Sequence, residues 1–237
     1  MTSSPPRAAS VCLAASSHDR TLREMAALIR AELGIRDRAP RIAASFVCAG
    51  GGMVDRVSQS IGHLFGGGEV RRFAVEGELA GATAEDALGV LAWADVVFVS
   101  GGDPVEGARK LVRAGADVWL RDARVRGVPC LGISAGSILL AAWWAEWPDV
   151  APAGASYDGG ELVRCAGVAP GIVVDCHAEA DDWSELRLVR GLLRDRAKQM
   201  PEGAPLRFFG LPTGGGIVVR PDGSVLDVGA PPLGLPA

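Results

Sequence analysis

The chain has 237 residues, 49% of them hydrophobic and 22% charged, the composition of a globular protein able to bury a core. A formal charge of −4 at pH 7, with no Lys/Arg cluster, argues against a nucleic-acid partner, because polyanions are held by clustered cations. Five widely spaced cysteines (Cys12, Cys48, Cys130, Cys165 and Cys176), with no C-x-x-C pair and no His at zinc spacing, argue against a zinc site and suit a reducing cytoplasm.

Residues 1–9 lack a basic region followed by an apolar run, so they read as a flexible tail rather than a secretory signal. From there, short apolar runs alternate with amphipathic ones, the pattern of parallel strands joined by helices. Strands are predicted at 11–15, 42–48, 70–75, 95–100 and 128–133, and helices at 21–33, 54–65, 84–93 and 105–114. The stretch 127–145 carries no charge, but Pro129 and the glycines at 127, 132 and 136 divide it into a strand, a turn and a helix start. No membrane partner is therefore expected.

The Pro- and Gly-rich region 147–171 reads as a loop excursion with a hairpin around Tyr157-Asp158-Gly159-Gly160. An alternating segment, 171–174, leads into Asp175-Cys176-His177. A helix over 182–193 and strands at 216–219 and 225–228, joined by a Pro-Asp-Gly turn, close the fold, and 231–237 form a tail. The expected architecture is one α/β domain over 10–230, an open, mostly parallel sheet with helices on both faces. Such sheets place chemistry at the carboxyl ends of their strands, here the loops 48–53, 100–104 and 133–137.

The last of these loops holds Gly132-Ile133-Ser134-Ala135-Gly136, a Gly-x-Ser-x-Gly turn between strand and helix that exposes the serine hydroxyl. The amide of Ala135, at the helix start, can face a developing oxyanion. A serine needs a base, and the chain has three histidines. His18 reads as a loop or cap residue and His63 as a helix-surface residue, whereas His177 ends a strand on the edge where this fold collects chemistry. The turn Ser100-Gly101-Gly102-Asp103-Pro104 allows close approach of backbone N–H groups to a carbonyl oxygen. In that turn Asp103 reads equally as an N-cap before Pro104. Gly50-Gly51-Gly52 lacks the spacing and the Lys of a phosphate-binding loop.

In order, Ser100-Gly-Gly-Asp103, Gly132-Ile-Ser134-Ala-Gly-Ser137, Asp175-Cys-His177 and Gly210-Leu-Pro-Thr-Gly214 resemble the aspartyl dipeptidase (peptidase E) and cyanophycinase family of serine peptidases. The resemblance runs through nearly the whole chain. It implies a class I glutamine-amidotransferase-like, flavodoxin-like three-layer fold, with Ser134 as nucleophile, His177 as base, and Gly101, Gly102 and Ala135 as the oxyanion hole. No metal or cofactor is implied, and the partner is a small peptide substrate of a monomer or homodimer.

Two departures stand out. Family members carry an acid after Gly-Leu/Ile-Pro near the C-terminus, where this chain has Thr213. The acid that orients His177 must come from elsewhere: Asp149 is preferred by its separation from Ser134, with Asp158, Glu146, Glu161 and Glu179 as alternatives. Peptidase E also uses an arginine early in the helix after the histidine to hold a substrate aspartate, where this chain has Ser184 or Glu185. Glu185, with Asp103, is therefore a candidate substrate contact, and aspartyl specificity is not expected. Asp181, Asp182 and Glu185 also suit a helix N-terminus. Trp143, Trp144, Trp147 and Trp183 read either as packing of the helix after the serine or as the lining of a cleft. A non-catalytic binding protein on the same scaffold is the competing expectation, motivated by Thr213.

Overall fold

A computed structural model describes residues 8–49, 54–75, 81, 83–147, 160–197 and 205–236. Its centre is a seven-stranded sheet of β1 (Val11–Ala14), β2 (Ile42–Ser45), β3 (Val70–Arg72), β4 (Val96–Val99), β5 (Cys130–Ile133), β10 (Gly215–Val219) and β11 (Val225–Gly229). The spatial order is β11-β10-β1-β5-β4-β2-β3. The five strands from β1 to β3 in that order run parallel, whereas β10 and β11 pair antiparallel at one end.

Side chains of a strand point alternately to its two faces, and both faces here are covered. Cys12, Ala14, Val96 and Phe98 face α1 (Asp19–Leu33) and α2 (Val54–Leu64), packing with Met25, Ile29, Ile61 and Phe65. Val11, Leu13, Val97 and Val99 face α3 (Ala84–Trp93), α4 (Pro104–Arg113), α5 (Ala116–Val125) and α6 (Ala135–Leu140). The result is the three-layer α/β arrangement expected from the sequence. Each fully buried aliphatic side chain contributes ~1.5–3 kcal/mol by leaving water.

Several elements differ from expectation. The apolar run after Ser134 yields only a short helix, because residues from Trp143 turn into β6 (Trp143–Glu146), which pairs antiparallel with β7 (Glu161–Arg164). The region expected to be loop thus holds a strand; the hairpin placed around Tyr157 lies outside the described residues. Helix α5 was not anticipated, since only the turn around Gly115, at φ 69°, separates it from α4. A further sheet, ordered β12-β9-β8, comprises β8 (Ile172–Cys176), β9 (Arg207–Leu211) and β12 (Leu233–Leu235). It packs with α7 (Ser184–Ala197) into the same core as α3 to α6 through Val173, Leu186, Val189 and Phe208. No helix among the described residues is long and apolar enough to cross a membrane.

Candidate active site

The turn after β5 is built by its glycines. A Cβ on Gly132 would stand 2.7 Å from the Gly136 carbonyl oxygen, and one on Gly136 would overlap the Val99 carbonyl and stand 2.6 Å from that of Ser100. Close packing between β4, β5 and α6 therefore demands glycine at both positions. Ser134 between them is held at φ 54° and ψ −123°, a region that non-glycine residues avoid and that the surrounding contacts must impose. Its N–H donates to the Ala14 carbonyl at 2.9 Å, and the Ser137 hydroxyl donates to the same oxygen at 2.8 Å.

His177 arrives from the other sheet. Its N–H donates to the Leu211 carbonyl at 2.9 Å, extending the β8–β9 pairing by one residue, and its φ of 48° swings the ring out of the strand. Nε2 of His177 stands 2.8 Å from Oγ of Ser134, within hydrogen-bond reach. Both side chains reach solvent, the histidine more than the serine. Neither of the other histidines comes to this pair: His18 packs beside Gly214, and Nδ1 of His63 lies 2.7 Å from the Gln59 carbonyl of its own helix.

The turn after β4 backs onto the serine. A Cβ on Gly101 would lie 3.2 Å from that of Ser134 and 3.7 Å from its Oγ. Gly102, at φ 138°, leaves no room for a side chain against the Cys48 carbonyl, which accepts the Asp103 N–H at 2.7 Å. Asp103 Oδ1 caps α4 by accepting the N–H groups of Val105 at 2.8 Å and Glu106 at 3.0 Å. Ala135 opens α6 directly after the serine.

Ser134, Ala135, Gly102 and His177 line a cavity of about 830 Å³, walled on one side by α4 and on the others by β6 and by Asp175 with Glu185. Trp144 and Trp147 belong to this lining. Trp143 instead lies under Arg196 on the hairpin, and Trp183 packs its ring over Gly210. Five carboxyl residues line the cavity (Asp103, Glu106, Glu146, Asp175 and Glu185) against a single guanidinium, Arg109, which is ion-paired with Glu146.

Asp175 stands two residues before His177 in the Asp-Cys-His segment. It is 3% exposed; Oδ1 accepts the Cys176 N–H at 2.7 Å, and Oδ2 has no hydrogen-bond partner among the described residues. Burial, reinforced by the charges of Glu185 and Asp181, pushes its carboxyl up to about 7, against smaller opposing effects of the Cys176 and Leu186 amides. Burial, with Asp181 nearby, likewise raises the Glu185 carboxyl. Asp175 lies inside β8, whereas His177 follows its last residue at φ 48°, so alternation does not fix their relative sides. Its enclosure depends on α7, which the motif does not reveal.

The proposed third acids divide. Asp149 and Asp158 lie outside the described residues. Glu146 pairs with Arg109, and Glu161 sits opposite Glu146 on the hairpin, exposed. Glu179, in the 3-10 turn Glu179–Asp181, accepts the Thr213 N–H. Although burial opposes it, this bond, with the Thr213 hydroxyl and the nearby His177, holds the Glu179 carboxyl below its usual range.

Burial pushes the thiols of Cys12, Cys130, Cys165 and Cys176 up, that of Cys130 to about 12. Cys176 lies closest to the site, with Sγ 3.5 Å from the Ser134 carbonyl oxygen. A buried protonated thiol is a poor nucleophile.

The profile of peptidase family S51 matches residues 73–158, a segment that includes Gly101, Gly102 and Ser134. No curated protein matches the chain. Among solved structures, a peptidase from an acI-B1 actinobacterium superposes with a TM-score of 0.64 at 16% identity, covering 98% of this chain and 96% of that one. A protein assigned as a peptidase E from Listeria monocytogenes EGD-e superposes with a TM-score of 0.60 at 13% identity, covering 94% of this chain and 100% of that one. The resemblance read from the sequence is thus supported from two directions: residues 73–158 match peptidase family S51, the peptidase E family, and the chain has the class I glutamine-amidotransferase-like fold of these two peptidase structures.

Proposed function

We propose that the protein is a serine peptidase, or a closely related amidohydrolase, that cleaves a short peptide in a reducing compartment. The observation that carries this reading is the 2.8 Å approach of His177 Nε2 to Ser134 Oγ at the wall of the cavity. With its hydroxyl donating to Nε2, Ser134 attacks the substrate carbonyl as His177 takes the proton. The backbone N–H groups of the Gly101-Gly102 turn and of Ala135 stabilise the oxyanion, and His177 returns the proton to the departing amine. Water then releases the acyl group by the same steps in reverse order.

The short Ser–His contact in the wall of a cavity favours this reading over a non-catalytic binder. Asp149 keeps the role of orienting acid suggested by the sequence, and Glu179 is its rival on the described side of the cavity. A fluorophosphonate probe is expected to label the protein at one residue, and Ser134→Ala to abolish the labelling. Undiminished labelling of Ser134→Ala removes Ser134 from the mechanism.

A further inference from the structure

Two consecutive residues at the end of β8 grip opposite sides of Ser134. His177 brings Nε2 to 2.8 Å from the Ser134 hydroxyl oxygen, and Cys176, immediately before it, donates its thiol to the Ser134 carbonyl oxygen at 3.5 Å. The same buried thiol is within hydrogen-bond reach of the Ser137 hydroxyl, and Ser137 is fully buried. That hydroxyl donates to the Ala14 carbonyl at 2.8 Å, the oxygen that also takes the Ser134 N–H at 2.9 Å. A buried polar link therefore runs from β1 through Ser137 and Cys176 to the strand that carries His177. Its far end is firmly held: the Cys176 N–H donates to Asp175 Oδ1 at 2.7 Å, and Cys176 pairs with Leu211 in β9.

Folding has little need of this link. The Ser134 carbonyl already accepts the N–H groups of Ser137 at 2.8 Å and Ile138 at 3.2 Å, and the Ala14 carbonyl keeps the Ser134 N–H without the hydroxyl. A thiol is a weak donor, so its bond adds little to stability. Alignment is a different matter. Ser134 sits at φ 54° and ψ −123°, a backbone that its surroundings must impose, while its base belongs to another sheet. Proton transfer between them is steep in distance, a misplacement of about 1 Å costing about 100-fold in rate. We propose, resting on the reading of Ser134 as nucleophile, that Cys176 and Ser137 are positioning residues whose buried thiol–hydroxyl link seats the His177 strand against the Ser134 turn. Neither group exchanges a proton with the substrate; together they set the separation across which His177 does.

The test uses the full chain carrying Ser137→Ala, Cys176→Ala or both, with the rate of fluorophosphonate labelling followed against probe concentration. This separates the maximal rate from the concentration that gives half of it. Each single substitution is expected to lower the maximal rate about tenfold, to leave the half-saturating concentration within about twofold, and to lower the melting temperature by less than about 5 °C. Because both residues act through one link, the double variant is expected to be no more than about twofold slower than the slower single variant, whereas independent roles would multiply to about 100-fold. A maximal rate equal to that of the parent in either single variant, a loss confined to the half-saturating concentration, or a double variant slowed by the product of the two overturns the proposal. Should one substitution prevent folding, the maximal rate of the other decides. Labelling that depends on Ser134 but runs at the parent rate in these variants overturns this inference alone. Labelling that persists in Ser134→Ala overturns the reading of Ser134 and this inference with it.

Discussion

The carboxylate of Glu179 accepts the backbone N–H of Thr213, joining the turn after His177 to the corner between β9 and β10. By family resemblance an acid is expected at position 213 itself. Here Glu179, two residues after the histidine, brings its carboxylate to that corner. Glu179→Gln keeps an oxygen for the Thr213 N–H and removes only the charge. It is expected to lower kcat about tenfold, with KM changed less than about twofold and thermal stability lowered only slightly, because the charge acts on the imidazolium formed in the transition state. A kcat equal to that of the parent reduces Glu179 to a backbone tether.

Asp175 makes stability depend on pH in a defined direction. Burial, helped by Glu185 and Asp181 and opposed by the Cys176 and Leu186 amides, pushes its folded-state carboxyl up to about 7, above the unfolded carboxylate range. The folded state therefore binds the proton more tightly, and stability is lost as pH rises from about 4 through 7. Asp175→Asn removes this dependence. It is expected to stabilise the protein by on the order of 1–3 kcal/mol at pH 8 and by little at pH 4, read from urea unfolding at both values.

The two glycine turns separate stability from activity. Gly136→Ala drives a methyl group into the Val99 and Ser100 carbonyls and is expected to cost about 3 kcal/mol or more in unfolding free energy. Gly101→Ala meets the Ser134 side chain, at 3.2 Å from its Cβ, and the Ile133 carbonyl oxygen at 3.3 Å, contacts that small shifts can absorb. It should unfold within about 1 kcal/mol of the parent but react with fluorophosphonate at least tenfold more slowly, because it displaces the hydroxyl.

All five cysteines are free and buried. With the Cys12, Cys130, Cys165 and Cys176 thiols pushed up by burial, iodoacetamide at pH 8 is expected to leave the native protein unmodified and fluorophosphonate labelling unimpaired. Full modification should require denaturant. Loss of labelling after alkylation of the native protein would place a thiol in the reaction.

Much of this was legible in the sequence, for physical reasons that also mark where legibility stops. Strands β1, β2, β4 and β5 are short apolar runs between turn signals, and Gly132-x-Ser134-x-Gly136 announces its own backbone. The hairpin of β6 and β7 was hidden because Trp143, Trp144 and Ala145 continue the apolar run of α6, and burial on all sides leaves no period to read. Strand β9 follows a Pro-rich segment and owes its place to Trp183 packing over Gly210, a contact 27 residues distant in the chain. At the site, His177 could be found as the histidine that ends a strand. The orphaned oxygen of Asp175 could not, because only the packing of α7 takes water away from it.

Ser134 is anchored to Ala14 in the central sheet, and His177 to Leu211 in the three-stranded sheet. The Ser134–His177 pair is thus split between two separately hydrogen-bonded bodies, and its 2.8 Å separation gauges how well they are seated on one another. Mild denaturant that loosens the packing between the sheets, without breaking either ladder, will part the serine from its base. Inactivation should then run ahead of the loss of secondary structure, and residues as remote as Phe208 in the shared core will register in the rate of the chemistry before they register in the melting of the fold.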